Sequence, residues 1–349
     1  MKSKKNSVIH VAFGIRDEKK IYYRYVLSVI SQIAKKTIGT VHIHILHDNT
    51  INEDIINVMK HTAQGLNQEI SFYDISIERE YKKMQNGTLY RLFLPKVCSS
   101  LDKIIYLDAD VIIGRDLRKL WEIDLEKKIL GAVLDVNATR EVINKLSQYY
   151  DKKIVADSYF NAGVLLINLD AMRRSTSNLS REYLDFIDKY PHALLLDQDF
   201  LNYKYQGEYK ELSYTFNFIP SDVDLLQEEI ISKNVIVHFA GLYKPWNCRN
   251  PLVLKIIFQN MLSSFPEESQ AYEISSYMSD IPYNYCKKTE LILYNTTGNR
   301  IPIKSYISSI KFLLKEVYKV DSFRRFCHGV TMLRMMYLYN IHYRFFVKS

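Results

Sequence analysis

The chain has 349 residues, 47% of them hydrophobic and 25% charged, with a formal net charge of +8. That length and apolar content fit one large domain, or a domain with an appendage, and provide for an ample core. The four cysteines, Cys98, Cys248, Cys286 and Cys327, show no short metal spacing, and no run of eighteen apolar residues occurs, which excludes a cysteine-clustered metal module and a membrane-spanning helix. Residues 1–7 are polar and basic, but the apolar run Val8–Ile15 is too short and too mixed for a secretory leader, so cytoplasmic residence with reduced thiols is expected.

Val8–Phe13 reads as a first buried strand. Ile21–Ala34 follows with Tyr25, Val26, Val29, Ile30 and Ile33 near helical spacing. Val41–Leu46 is a second strand, in which Val41, Ile43 and Ile45 alternate with His42 and His44. Ile51–Thr62 reads as a helix with Asn52 as its cap and Ile55, Ile56 and Met59 on one face. Ile70–Ile75 is a third strand. This alternation predicts a parallel sheet with helices on both faces. Thr88–Lys96 reads as a short helix, and Lys103–Leu107 as the next strand. Leu130–Leu134 and Gly163–Ile167 carry almost no polar residues, as central strands covered on both faces do. Arg181–Lys189 and Gln198–Lys204 read as helices, and Val235–Val237 as a late strand ending at His238. The Gly-x-Gly-x-x-Gly fingerprint is absent, so a nicotinamide cofactor has no support.

The C-terminal region differs in charge. Residues 300–349 hold ten Lys and Arg against two acids, and the preceding residues hold 37 of each sign. Within it, Lys304–Lys319 sets Tyr306, Ile310, Leu313 and Val317 on one helical face and Lys304, Lys311, Lys315 and Lys319 on the other. Aromatic and basic residues continue from Phe323 to Phe346. The pattern fits a helical subdomain packed on the body, a basic amphipathic surface for an anionic membrane, or both. The expected boundaries are 1–262 for a catalytic domain and 263–349 for a helical, basic and aromatic region.

Two segments carry the chemistry. Tyr106–Asp110 reads Tyr-Leu-Asp-Ala-Asp at the end of an apolar run. Strand side chains alternate with a period of two, so Asp108 and Asp110 point the same way at or just past a strand end. Two converging hard oxygen ligands suit Mg²⁺ or Mn²⁺. The second segment, His238–Trp246, supplies an imidazole at another apolar-run end, then Gly241, Lys244 and the rigid pair Pro245-Trp246. A lysine is a point charge suited to phosphate. The set describes a site for a metal-bound diphosphate, and open α/β sheets bind ligands beyond the carboxyl ends of their strands.

The spacing His-x-x-Gly-x-x-Lys-Pro-Trp, filled by His238, Gly241, Lys244, Pro245 and Trp246, resembles glycosyltransferase family 8 when joined to the Asp-x-Asp at 108–110. These are retaining enzymes that use nucleotide sugars. The resemblance takes in Thr88–Pro95, Ser158–Leu169 and Leu196–Asn202 and runs in collinear order over roughly residues 8–250. It implies a GT-A type, Rossmann-like, mostly parallel sheet with helices on both faces. It implies a UDP-sugar donor, with galactose or glucose leading, and a saccharide or glycolipid acceptor such as a lipopolysaccharide or another cell-surface glycan. Asp108, Asp110 and His238 become metal ligands, for Mn²⁺ ahead of Mg²⁺ because the donor set mixes oxygen and nitrogen. Lys244 contacts the diphosphate, and Gly241 allows close backbone approach to it, although a plain turn uses a glycine equally well.

The same resemblance puts Arg91 on the donor sugar and Asn161, Ala162 and Asp135 on the sugar and acceptor side. Gln198 lies on the face opposite the leaving group, with Asp197 and Asp199 holding sugar hydroxyls; acids also suit a helix N-terminus. Phe13, Gly14, Asp17 and Ala109 complete the donor-binding set. Arg16 stands where the family commonly has an aspartate that grips the nucleoside, with Asp17 one step on. Double displacement and front-face attack both remain open, because a glutamine is a poor nucleophile and a nearby carboxylate can be recruited. A catalytically silent binding scaffold of the same fold is the alternative reading, which the full set of acids argues against. A nucleic-acid partner is not expected from a neutral body without a recognised motif. Together with the resemblance, the basic region leads to the expectation of a peripheral protein at the cytoplasmic face of the inner membrane.

Overall fold

The computed structural model describes residues 8–138, 143, 144, 147–191, 193, 195–220, 234–241, 244, 245, 253 and 256. Trp246 and the whole of the region expected at 263–349, with its amphipathic stretch, lie outside the described residues.

The chain opens as β1 (Ile9–Ile15), α1 (Tyr22–Lys36), β2 (Val41–His47), α2 (Glu53–Gly65) and β3 (Glu69–Asp74). The three strands pair in parallel, with Ile9 beside Val41 and Ile43 beside Ile70. Their alternation explains the layering. Ile9, Val11, Phe13 and Ile15 face Val26, Ile30 and Ile33 of α1 in one buried cluster. Ala12 and Leu46, on the opposite face, join Tyr90 and Tyr106 in a second. The sheet therefore lies between two apolar layers, as the sequence pattern predicts. The Asn52 side chain accepts from the Ile55 amide at the start of α2, where Glu53 and Asp54 add charge of the favourable sign.

The main sheet has seven strands in the order β3-β2-β1-β4-β7-β6-β8, with β4 at Lys103–Leu107, β6 at Leu130–Ala132, β7 at Val164–Asn168 and β8 at Tyr209–Glu211. Most neighbours are parallel. The exception is β7, antiparallel to both β4 and β6. Leu107, the last residue of β4, lies opposite Val164, the first of β7. Asn161 and Ala162 therefore reach the ligand-binding edge at the amino end of β7, not at a carboxyl end. A run of apolar residues records burial and carries no information on strand direction, which is why the sequence pattern is silent on this.

Two further strands form a separate antiparallel ribbon: β5 (Val111–Ile113) and β9 (Ile236–His238), with Val111 opposite His238. β5 and β8 are three residues each, too short for periodicity to register. The stretch expected as one helix at Thr88–Lys96 is a 3₁₀ run, Gly87–Phe93, followed by one α turn, Leu94–Val97. Helices Leu179–Lys189 and Asp197–Tyr205 fall where predicted, within two residues at either end. Leu196 enters the second at φ 47°, a left-handed conformation unusual for a leucine, immediately before Asp197. Among the described residues, no helix is long and apolar enough to cross a membrane.

Candidate active site

The site forms where β4, β7 and the β5–β9 ribbon meet. Asp108 follows β4, and its amide donates to the Gly163 carbonyl at 2.8 Å. Asp110 sits in the turn before β5, and the ribbon register brings His238 beside it; the Phe239 amide donates to the Asp110 carbonyl at 2.9 Å. His238 Nε2 lies 3.5 Å from Asp110 Oδ1 and 3.9 Å from Asp108 Oδ2. One ligand atom from each residue falls within 4.8 Å of the others, a spacing that can hold a metal ion. Asp110 and His238 are buried and Asp108 is partly open to the cleft. Burial works against ionisation of Asp110, but His238 and Lys244 beside it hold its carboxyl well below the usual carboxylate range. Lys244 donates to Asp110 Oδ2 and, at 3.3 Å, to the Phe239 carbonyl.

Two observations show that these residues fit a cation. Asp110 Oδ1 is buried and has no hydrogen-bond partner. Such an atom is costly unless something fills its coordination. Gly163 also keeps the centre clear: a Cβ there would stand 2.1 Å from His238 Cε1 and 2.9 Å from Asp108 Oδ2. The outer contacts set the imidazole. His238 Nδ1 is 2.9 Å from Asn217 Oδ1, an acceptor, so Nδ1 carries a proton and Nε2 is the ring atom turned toward the carboxylates, where it could ligate a metal. Asn217 Nδ2 in turn donates to Asn161 Oδ1 at 2.9 Å. Sequence reasoning missed Gly163 and Asn217. Asn217 lies between Phe216 and Phe218, and an amide inside an apolar run was the available signal, as it was for Asn161.

The hydrogen-bond chain continues to the other side of the cleft. Asn161 Nδ2 donates to Asp135 Oδ2 and Gln198 Oε1, both at 3.1 Å. Gln198 Oε1 also accepts the Ala162 amide, and Gln198 Nε2 donates to Asp135 Oδ2 at 2.9 Å. Gln198 is therefore held at both ends of its amide. Arg91, 4% exposed, donates to Asp108 Oδ1 at 2.8 Å and to the Ala162 carbonyl, and its guanidinium lies 4.3 Å from the centre of the Tyr106 ring. Arg91 Nε is 2.9 Å from Asp197 Oδ2, but its proton is directed at the Thr88 carbonyl, which leaves that buried carboxylate oxygen without a hydrogen bond. Burial pushes the Asp197 carboxyl up to about 6, with Arg91 opposing and Asp108 reinforcing. Asp108, Asp110, Asp135, Asn161, Asp197, Gln198, Gly241 and Lys244 line one cleft of about 390 Å³, within the size range of small-molecule sites.

Other expected site residues stand elsewhere. Phe13 is buried in the core on the α1 side of the sheet. Gly14 is pressed against the loop before the 3₁₀ run, where a Cβ would meet the Gly87 carbonyl oxygen at 2.4 Å. Asp17 spends both carboxylate oxygens on backbone amides at the entrance of α1, Ile21 at 2.9 Å and Tyr23 at 2.8 Å. Arg16 is bound to Asp48 and Glu18 at 2.5 Å each. Asp48 is fully buried and also accepts from Tyr81, Tyr90 and Thr50, so Arg16 belongs to an ion-pair hub under the ends of β1 and β2. Asp199 faces inward, accepting from the Tyr159 hydroxyl at 2.6 Å and the Leu195 amide at 3.0 Å. Ala109 is buried between the two carboxylates, and its backbone bonds the Tyr22 hydroxyl.

Residues 10–249 match glycosyl transferase family 8, and the chain belongs to that family. It is a glycosyltransferase enzyme, related to the lipopolysaccharide glucosyl- and galactosyltransferases. A putative glycosyltransferase of Haemophilus influenzae is 30% identical over 241 residues, 65% of this chain and 70% of that protein. A lipopolysaccharide 1,2-glucosyltransferase of Escherichia coli is 23% identical over 296 residues, 78% of this chain and 83% of that protein. Among solved structures, the galactosyltransferase LgtC in complex with donor and acceptor sugar analogues superposes with a TM-score of 0.62 at 25% identity, covering 76% of this chain and 99% of that one. The GT-A-like, mostly parallel fold is thus shared.

The Asp17 contacts separate a capping role from a donor-binding one. Asp17→Ala is expected to lower unfolding free energy by about 0.5–2 kcal/mol, the cost of a lost helix-entry cap, in urea denaturation. The KM for donor should stay unchanged. A raised donor KM at unaltered stability would place Asp17 on the nucleoside instead.

Proposed function

We propose that this glycosyltransferase moves a hexose, galactose or glucose, from a UDP-sugar to a saccharide acceptor on a lipopolysaccharide or other surface glycan, with retention of the α configuration and with Mn²⁺ preferred over Mg²⁺. The observation that carries the reading is the convergence of Asp108, Asp110 and His238 around a buried carboxylate oxygen that has no hydrogen bond. A cation held by those three residues would supply positive charge to a departing diphosphate. The donor and acceptor assignment draws on LgtC, solved with analogues of both, and on the glucosyltransferase of Escherichia coli.

The chain's own residues divide the work. Lys244 bonds Asp110; with a cation held by Asp108, Asp110 and His238, its ammonium would be available to a diphosphate oxygen. Arg91 ties Asp108 to the Ala162 backbone and so holds the metal side and the sugar side in one geometry. Gln198, fixed by Asn161, Ala162 and Asp135, presents a rigid polar surface to the sugar, and Asp135 and Asp197 offer carboxylate oxygens for its hydroxyls.

Asp110→Asn should abolish nearly all turnover and Mn²⁺ binding without unfolding the chain, and Lys244→Ala should lower kcat by about 10²–10³, as loss of a contact to developing charge does. UDP release from a panel of UDP-sugars, with and without EDTA, reads both; full turnover in excess EDTA would overturn the metal role. Gly163→Ala probes the room around the ligands. Its Cβ should displace His238 and weaken Mn²⁺ by about 10–100-fold in calorimetry, the range seen for altered support of a ligand. Unchanged Mn²⁺ affinity in that variant would place the cation away from His238.

The basic C-terminal region extends the proposal to an anionic membrane face, where a glycolipid acceptor is presented. Ten Lys and Arg lie between residues 300 and 349, and each contributes about 1 kcal/mol near an anionic surface. The full chain should float with vesicles containing anionic lipid at low salt, and progressively less as salt rises. Equal flotation with purely zwitterionic vesicles, or none with either, would reject the electrostatic anchor.

A further inference from the structure

At the end of the sheet where β1 and β2 begin, three imidazoles come together on one face. His10 of β1 pairs with His42 of β2 in the strand register, and His44 lies two residues along on the same side. One ring nitrogen from each falls within 4.8 Å of the others. The third strand completes the group. Glu69, Ser71 and Tyr73 alternate along β3, and the register places Glu69 beside His42 and Ser71 beside His44. We propose that His10, His42, His44 and Glu69 form a binding site for a divalent transition-metal ion of the zinc and copper class, separate from the catalytic cleft.

The ring nitrogens can be accounted for one by one. His44 Nδ1 is 3.0 Å from the Tyr73 hydroxyl, and His42 Nε2 is 2.8 Å from Ser71 Oγ. Those outer bonds orient two rings, as the second contact of a metal-bound histidine ordinarily does. The inner nitrogens that remain are His44 Nε2, His42 Nδ1 and His10 Nδ1. His10 Nδ1 already lies 2.9 Å from His44 Nε2, and His42 Nδ1 lies 3.1 Å from the Glu69 carboxylate. The donor set is three imidazoles and one carboxylate, which suits four-coordinate Zn²⁺, with Cu²⁺ binding more tightly. The His42 and His44 rings stack with centroids 4.3 Å apart, and the part-exposed His42 has more room to adjust than the buried His44.

The protonation state is the one that binds metal. Burial lowers all three imidazoles; charge on neighbouring rings adds to it for His10 and for His44, which falls to about 3, while Glu69 opposes it for His10 and His42, so the rings are neutral near pH 7. The exposed Glu69 carboxylate marks the mouth, where a cation enters against favourable charge. Bound there, the ion would fasten β1, β2 and β3 to one another.

The test uses the untagged full chain carrying Asp110→Asn, which disables the cleft, stripped with chelator and titrated with Zn²⁺ by calorimetry at neutral pH. One Zn²⁺ per chain is expected, with a rise in Tm. Co²⁺ in the same protein should give the intense visible absorption of a four-coordinate ion. Adding His10→Asn and His42→Asn should abolish both signals. Glu69→Gln, at an exposed position that leaves the fold alone, should weaken binding. Tyr73→Phe, which removes the hydroxyl on His44, should weaken it by about 10–100-fold. Absence of Zn²⁺ binding in the Asp110→Asn chain, or binding unaltered by Glu69→Gln and Tyr73→Phe, would overturn the proposal.

Discussion

A carboxylate taken out of water must find positive charge beside it, and Asp110 is where that demand organises this molecule. It is 4% exposed, and its neighbours are His238 at the end of β9 and the Lys244 ammonium just beyond. Both arrive from a distant part of the chain. What brings them is the short antiparallel ribbon of β5 and β9, which places Val111 across from His238. The charge and the ribbon depend on each other. Without the pairing Asp110 would be buried alone, and without Asp110 the buried His238 and the part-exposed Lys244 would lose their shared counter-charge.

A second demand, that buried polar groups be hydrogen-bonded, extends the order outward. Asn217 turns His238, Asn161 holds Asn217, and Asn161 joins Gln198 and Asp135. Arg91 crosses between the two sides, bonded to Asp108 and to the Ala162 carbonyl. The cleft is thus held around Gln198 through amide-to-amide bonds and around Asp110 by charge. Among the described residues, two of the eight buried side-chain atoms without a hydrogen-bond partner, Asp110 Oδ1 and Asp197 Oδ2, are carboxylate oxygens of residues that line the cleft, where a ligand's own groups would complete the network.

The molecule uses histidine in two ways. His238 is a single imidazole tuned by a neutral amide and facing two acids. His10, His42 and His44 are three imidazoles facing one another, kept neutral chiefly by burial, with repulsion from neighbouring rings adding to it at His10 and His44. The contrast follows from the neighbours each strand register supplies, since the residue type is the same.

By itself the sequence determined the layered α/β class, the opening order of strands and helices, the Asn52 cap, and the residue types of the cleft, because alternation, helical spacing and short spaced motifs are local properties of a chain. Asp108 and Asp110 could be read as a pair for the same reason: a period of two acts over three residues. Tertiary structure alone decided the rest. The reversed direction of β7, the β5–β9 ribbon and the chain through Asn217 come from pairings between segments far apart, which no local pattern encodes. It also decided which acids face the cleft. Asp17 and Asp199 look in sequence like Asp108 and Asp197, yet their oxygens are taken by backbone amides and a tyrosine hydroxyl. A carboxylate's role depends on which donors surround it, and those donors are assembled only when the chain folds.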